Sequence, residues 1–98
     1  MRSVRLGDPS LDEIDLQVPP DRLDDFLQHD LRPVLEALSE NDATWEENGI
    51  PHGPGRRFTI AGQTVAGFHL FAAEDPADPR PGALVVFGID VWLNDFPD

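Results

Sequence analysis

The chain has 98 residues and a mass of 10.9 kDa, so we expect a single acidic domain over residues 1–98, with one hydrophobic core. Its composition, 40% hydrophobic and 27% charged residues, is typical of a globular protein. The lack of cysteine excludes a disulfide framework, a thiolate zinc site and thiol catalysis. No apolar run is long enough to cross a membrane and no signal peptide is visible, which favours a cytoplasmic location.

The formal net charge of −12 is concentrated in the first half of the chain. Residues 8–47 hold thirteen acidic residues against Arg22 and Arg32, a net charge of −11. Duplex nucleic acid and anionic membranes bind basic surfaces, so both are disfavoured as partners. Two interpretations of the acidity stay open. In the first, the acidic residues reflect genome composition or salt adaptation; in the second, they recognise a basic partner.

Two strands and a helix are predicted in the first half. A short strand covers Val4–Leu6, and a half-buried strand covers residues 13–18, where Ile14, Leu16 and Val18 alternate with polar residues. Pro19 and Pro20 end this strand. A helix is predicted from Asp21, a suitable N-cap, to about Ser39.

The predicted helix has an apolar stripe that suits packing on a sheet. Its members recur at spacings of three and four residues: Leu23, Phe26, Leu27, Leu31, Val34, Leu35 and Leu38. Pro33 lies on the opposite side and removes one backbone hydrogen bond. The helix therefore either kinks on the solvent side at this point, which we expect, or breaks into two short helices near Leu31.

The second half predicts a long connection and three antiparallel strands. Residues 39–55 form the connection, pinned to the core by Trp45 and Ile50. Residues 57–60 and 65–72 form a hairpin, with Gly62 at positive φ in its turn. Residues 73–81 form an exposed loop, and residues 84–89, apolar at every position, form a central strand covered on both faces.

These elements predict an α+β fold with two layers. Its sheet has three to four antiparallel strands, and one main helix, kinked by proline, covers one face. The order of strand, helix, hairpin and apolar strand resembles that of the RelE/ParE toxin superfamily over roughly residues 57–92, in the segments RRFTIAGQTVAGFHLF and ALVVFGIDVW. Members of that family that cut RNA depend on basic residues. Here lysine is absent and the surface is acidic, so no toxin residue is carried over and the chain is not assigned to the family.

The charge pattern favours a non-enzymatic protein-binding module of the inhibitor, immunity or antitoxin type, which engages a basic protein partner. We expect the contacts to come from the helix face opposite the apolar stripe and from the loop after it. The residues are Asp21, Asp25, Glu36, Glu40, Asp42, Glu46 and Glu47. This function requires no catalytic residue, metal or cofactor.

The alternative is a small ligand-binding protein or acid–base enzyme built around His69, Asp90 and Arg56. His69 lies in a predicted strand on the same side as Phe71, and Asp90 directly follows the apolar run that ends at Ile89. The two side chains are expected to face each other across adjacent strands, as a base and its orienting partner. The pocket beside them would be lined by Phe71, Phe87 and Trp92.

A further candidate is an anion site formed by His52, Arg56 and Arg57. The glycines of the segment HGPGRR allow backbone amides to point at an anion, and two adjacent guanidinium groups suit a carboxylate or phosphate. The competing interpretation is a flexible turn whose arginines pair with the protein's own acids.

A homodimer is also left open by the apolar strand at residues 84–89. One amphipathic helix covers one sheet face, so the other face needs cover from a second copy, or from the long loop and the C-terminal segment. The charge of −12 per chain opposes self-association by an amount that salt reduces.

Overall fold

The computed structural model describes residues 2–95, and its centre is a five-stranded sheet in the order β1-β5-β4-β3-β2. The strands are β1 (Val4–Leu6), β2 (Ile50–His52), β3 (Gly55–Ala61), β4 (Gly67–Glu74) and β5 (Leu84–Trp92). The helices are α1 (Asp8–Gln17), α2 (Pro20–Asp25) and α3 (Arg32–Glu40). The predicted α+β class is confirmed, but the predicted strand count of three to four is too low.

Strand β1 coincides with the short strand predicted over Val4–Leu6, whereas strand β2 was not predicted. Strand β1 pairs in parallel with β5, whereas all other neighbours in the sheet are antiparallel. Strand β2 pairs with β3 over three residues each. This pairing of β2 depends on the tertiary fold, because Ile50–His52 carries too little alternation to indicate a strand.

The strand predicted over residues 13–18 is wrong, because this segment forms α1 and the residue after it. Pro9 lies in the first turn, where its missing N–H costs no helical hydrogen bond, and Asp8 complements the helix dipole. Ile14 and Val18, four residues apart, are both buried. Leu16 is 86% exposed, so its place in the alternating pattern is incidental.

The predicted helix of residues 21–39 is observed over residues 20–40, with an interruption before Pro33. A π-helical segment, Phe26–Leu31, joins α2 to α3, and the N–H of Arg32 donates to the carbonyl of Leu27. A wider turn at this position is one way for a helix to accommodate the amide that proline lacks. Pro33 is exposed, as expected.

The apolar stripe of this helix packs against one face of the sheet and forms the core. Phe26, Leu31 and Leu38 are fully buried, and the other stripe residues pack around them partly buried. Phe26 meets Phe68 of β4 edge to face, with ring centroids 5.3 Å apart. The sheet contributes Phe58, Phe68, Leu70, Ala72, Leu84, Val86 and Ile89.

The long connection predicted over residues 39–55 contains a π-helical turn, Thr44–Asn48, and strand β2. Trp45 is buried in the core, as expected, and its ring lies 5.8 Å from that of Phe58. The same expectation is wrong for Ile50, which is 53% exposed because it lies on the sheet face away from the core.

The β3–β4 hairpin is confirmed, but the reason for glycine in its turn differs. Among the described residues, positive φ occurs at Gly53 and Gly82, not at Gly62. At Gly62 a Cβ atom would collide with the carbonyl oxygen of Val65, so a close backbone approach requires glycine there. Strand β5 lies between β1 and β4, as predicted for a central strand, but Val85 and Phe87, on the face away from the core, are half-buried and not covered as fully as predicted. Within residues 2–95, no helix combines the length and apolar character needed to cross a bilayer.

Candidate functional site

The seven acidic residues predicted to bind a partner form what we call the acidic surface: Asp21, Asp25, Glu36, Glu40, Asp42, Glu46 and Glu47. All seven are exposed. They lie on α2, on α3, just after α3 and in the π-helical turn that follows. The carboxylates thus lie at both ends of the long helix and in the segment that follows it.

Few basic groups of the protein itself compensate the acidic surface. Within residues 2–95, ion pairs reach two of its members: Arg32 Nε lies 3.0 Å from Glu36, and Arg2 Nε lies 3.0 Å from Asp42. The other five carboxylates have no ion pair among the residues that the structure describes. Uncompensated charge of one sign creates a field that attracts basic groups over a Debye length.

His69 and Asp90 are directly opposite each other on β4 and β5, as the alternative function requires. A bulge in β5 pairs Phe71 with Gly88 and Ala72 with Val86, so Phe87 has no partner in the register. This face of the sheet, away from the core, carries several aromatic rings. The ring of His69 lies 4.8 Å from Trp92 and 6.3 Å from Phe71, and Phe71 lies 6.2 Å from Phe87.

The structure therefore brings His69, Asp90 and the predicted aromatic side chains to one sheet face. His69 is half-buried and Asp90 is exposed. The two cavities described below are lined by other residues. The arrangement is an aromatic surface with a histidine and a carboxylate in register.

The residues of the predicted anion site do not converge, because Arg56 and Arg57 are neighbours on β3 and point to opposite faces of the sheet. The guanidinium of Arg56 lies over the Trp45 ring, 5.4 Å from its centroid, and donates to the carbonyls of Glu46 and Gly49. Arg57 shares the other face with His52, whose ring lies 4.8 Å from that of Phe71. The two arginines cannot clamp one anion together.

A cavity of about 330 Å³ lies between α3, the π-helical turn and the C-terminal half of β3. We call it the edge pocket. It is lined by Pro33, Val34, Ala37, Thr44, Asn48, Phe58, Thr59 and Ile60. It could not be predicted from the sequence, because it depends on how α3, the π-helical turn and β3 pack together.

A second cavity, of about 470 Å³, borders the loop after β4. Within this loop, expected to be exposed, Asp75 is buried and accepts hydrogen bonds from two guanidinium nitrogens of Arg5. These bonds hold the pKa of Asp75 below its usual value. Hydrogen bonds from Arg80 lower the pKa of Asp78 to about 2. The loop is thus fixed by two acid–arginine pairs.

Two polar contacts that the sequence did not predict, one made by a buried side chain and one by a half-buried side chain, connect the helices to the sheet. Asp30, 4% exposed, accepts backbone hydrogen bonds from residues 63–65 in the β3–β4 turn. Gln17 donates to the carbonyl of Ile89 and accepts from the N–H of Val91 on β5. For Asp30 a signal existed, since it lies four residues after Phe26 and therefore falls within the apolar stripe.

No protein-family model and no curated protein matches the chain. Among solved structures, a chain of the RelBE2 toxin–antitoxin complex from Mycobacterium tuberculosis is similar, with 14% sequence identity and a TM-score of 0.47. The alignment covers 92% of this chain and 90% of that chain. Similarity at this level assigns neither a family nor a function to the protein.

Proposed function

We propose that this protein is a non-enzymatic binding module of the inhibitor, immunity or antitoxin type, which engages a basic protein through the acidic surface. The observation that supports this proposal is that all seven carboxylates are exposed, while ion pairs within residues 2–95 reach only two of them. A surface with so little internal compensation favours contact with an external basic group.

The arrangement of the helix supports recognition by a protein. Residues 20–40 form one nearly continuous helix roughly 30 Å long at about 1.5 Å per residue. Asp21 and Asp25 lie near its start, and Glu36 and Glu40 near its end. Carboxylates spread over such a length match an extended basic surface better than a single small cation.

A capture experiment with a matched charge control tests the proposal. The immobilised protein is exposed to extract of the cells that produce it, at salt of about 0.05 M and about 0.5 M. The test variant carries Glu36→Gln, Glu40→Gln, Glu46→Gln and Glu47→Gln. The control variant has the same net charge, from neutralisation of the exposed residues Asp12, Asp15, Glu74 and Asp95.

We expect the wild-type protein and the control variant to retain a basic protein at low salt, and the test variant to lose it. Association of the purified pair should slow steeply as ionic strength rises. Recovery of no basic protein by the wild type would contradict the proposal. Equal loss in both variants would mean that net charge, and not the acidic surface, controls binding.

A second candidate function, a ligand-binding or acid–base site at His69 and Asp90, is favoured by their cross-strand pairing beside Phe71 and Trp92. A screen of small anionic and aromatic compounds by amide chemical shifts tests it. Shift changes should cluster at His69, Asp90 and Phe87 and disappear in His69→Gln. Compounds that perturb the acidic surface alone would remove this candidate.

A further inference from the structure

The outer edge of β3 is only partly covered by its neighbour. Strand β2 is the last strand in the sheet order and pairs with β3 from Gly55 to Arg57. Strand β3 continues through residues 58–61, which pair with β4 on their other side. Within residues 2–95, no strand pairs with residues 58–61 from the side of β2.

The hydrogen-bonding groups that point outward at this edge follow from the register. A two-residue turn joins β2 to β3, so the flanking pair His52 and Gly55 is hydrogen-bonded, and bonded pairs recur at every second residue. Pro51, which has no N–H, occupies the non-bonded position between the bonded pairs His52–Gly55 and Ile50–Arg57. By the same alternation, the N–H and C=O groups of Thr59 and Ala61 point away from β4, and both residues are exposed.

The edge pocket adjoins this uncovered edge. Phe58, Thr59 and Ile60 line one side of it, and Pro33, Val34 and Ala37 of α3 line the other. Side chains of a strand alternate between its faces, so a strand added at residues 58–61 would direct one side chain toward the pocket. The volume of about 330 Å³ suits a large apolar side chain.

The surroundings of the pocket are acidic. Glu36 and Glu40 each lie three residues after a lining residue, Pro33 and Ala37 respectively, and so occupy adjoining positions on α3. Glu47 precedes the lining residue Asn48 in the π-helical turn. All three glutamates are exposed. An occupant with basic residues on both sides of its apolar side chain is therefore complementary.

We propose that residues 58–61 and the edge pocket form a strand-addition site for an extended segment of a basic partner protein. An apolar side chain of that segment enters the pocket, lysine or arginine residues contact the glutamates beside it, and its backbone bonds to Thr59 and Ala61. The inference rests on the proposed function for the basic character of the partner, and it specifies where and how the partner binds.

The test uses a synthetic eight-residue peptide in which leucine and valine alternate with arginine and lysine. A second peptide has the same sequence with N-methylated backbone amides, which preserves charge and side chains but removes donors. Hydrogen–deuterium exchange of the wild-type protein should slow about tenfold or more at Thr59 and Ala61 when the first peptide binds. The methylated peptide should bind about tenfold more weakly.

Two variants with matched controls locate the contact. Thr59→Pro removes an outward N–H at a sheet edge, where proline is tolerated, and Thr59→Val retains it. Ala37→Phe fills the pocket, and Ala37→Ser leaves it open. Thr59→Pro and Ala37→Phe should each weaken peptide binding about tenfold, whereas the controls Thr59→Val and Ala37→Ser should not.

Equal binding of the two peptides, no binding of either, or unchanged exchange at both amides in the bound protein would overturn the inference. These exchange measurements need no variant, so they decide the matter even if Thr59→Pro fails to fold. If the four-glutamine variant loses the captured partner while Ala37→Phe retains it, strand addition is wrong and the proposed function stands. If the wild type captures no basic protein, the proposed function fails on its own experiment.

Discussion

The carboxylate of Asp30 accepts a 2.7 Å hydrogen bond from the backbone N–H of Gln63, which ties the π-helical segment to the β3–β4 turn. The same carboxylate accepts from the N–H groups of Thr64 and Val65, at 3.0 and 3.3 Å. One side chain thus satisfies three backbone donors of a turn that packs against the helix. A buried carboxylate is tolerated in a core when its acceptor capacity is used in this way.

Asp30→Ala should therefore destabilise the protein by about 2–4 kcal/mol, because it leaves three partly or fully buried N–H groups without their acceptor. Asp24→Ala, at an exposed position of α2, is the matched control and should change the free energy of unfolding by less than about 0.5 kcal/mol. Urea unfolding of both variants measures the difference. Similar midpoints for the two would show that the contact contributes little.

Gln17 takes the place of a strand at the edge of β5. Strand β1 pairs with β5 only as far as Val86, and beyond it Gln17 Nε2 lies 2.7 Å from the carbonyl oxygen of Ile89. The N–H of Val91 donates to Gln17 Oε1 at 2.8 Å. Gln17→Leu should make the Val91 amide exchange faster and cost about 1–3 kcal/mol. Gln28→Leu, at an exposed position of the long helix, is the control; a Val91 amide equally protected in both would contradict this role.

The acid–arginine pairs of the loop predict a loss of stability at low pH. Hydrogen bonds from Arg80 lower the pKa of Asp78 from 3.8 to about 2 in the folded protein. A carboxyl whose pKa is lower when folded stabilises the fold above its unfolded pKa, and this contribution disappears as pH falls through the folded pKa. Arg80→Gln should raise the pKa of Asp78 toward 3.8 and reduce the loss between about pH 4 and pH 2.

Carboxyl ¹³C shifts of Asp78, followed during acid titration, measure this change directly. Arg22→Gln serves as the control, since Arg22 is exposed on α2, away from the loop. An Asp78 titration that is unchanged in Arg80→Gln would rule out the pair as the cause.

Self-association is expected at micromolar concentration and moderate salt. The sheet face away from the core carries half-buried Phe71, Phe87 and Trp92, and a second copy would cover it. Salt of about 0.15 M screens the charge that opposes the contact. Sedimentation should then give twice the chain mass, and a single species of 10.9 kDa would contradict the homodimer.

The long helix, the β3–β4 hairpin and the strands β1 and β5 were predictable from the sequence, whereas α1, whose residues alternate like a strand, and the short strand β2 were not. The apolar stripe from Leu23 to Leu38 has helical spacing, and its central residues are buried in the core. Strand β2 is three residues long and its pairing with β3 depends on the tertiary fold, so no sequence pattern indicated it. The edge pocket forms between α3, the π-helical turn and β3, so it too depends on tertiary packing.

The acidic surface was predictable in its exposure, because carboxylates opposite an apolar stripe face solvent. The separation of Arg56 and Arg57 was missed, because two adjacent charges suggest a single site. Neighbouring residues of a strand point to opposite faces of the sheet, so the two side chains diverge. Asp30 shows a third case. A carboxylate within an apolar stripe indicates a buried acceptor, but sequence does not identify the amides that it binds.

The last prediction concerns Leu31 and Leu16, which the sequence patterns both placed on an apolar, core-facing side. Leu31, in the helical stripe, is 1% exposed, whereas Leu16, in the alternating pattern of residues 13–18, is 86% exposed on α1. Leu31→Ala should cost about 2–5 kcal/mol, from lost burial and the cavity left behind. Leu16→Ala should change stability by less than about 0.5 kcal/mol, because its side chain is already in water and alanine favours a helix. Urea unfolding of both variants compares them directly, and a large cost for Leu16→Ala would mean that residues 13–18 pack as the half-buried strand that their alternation suggests.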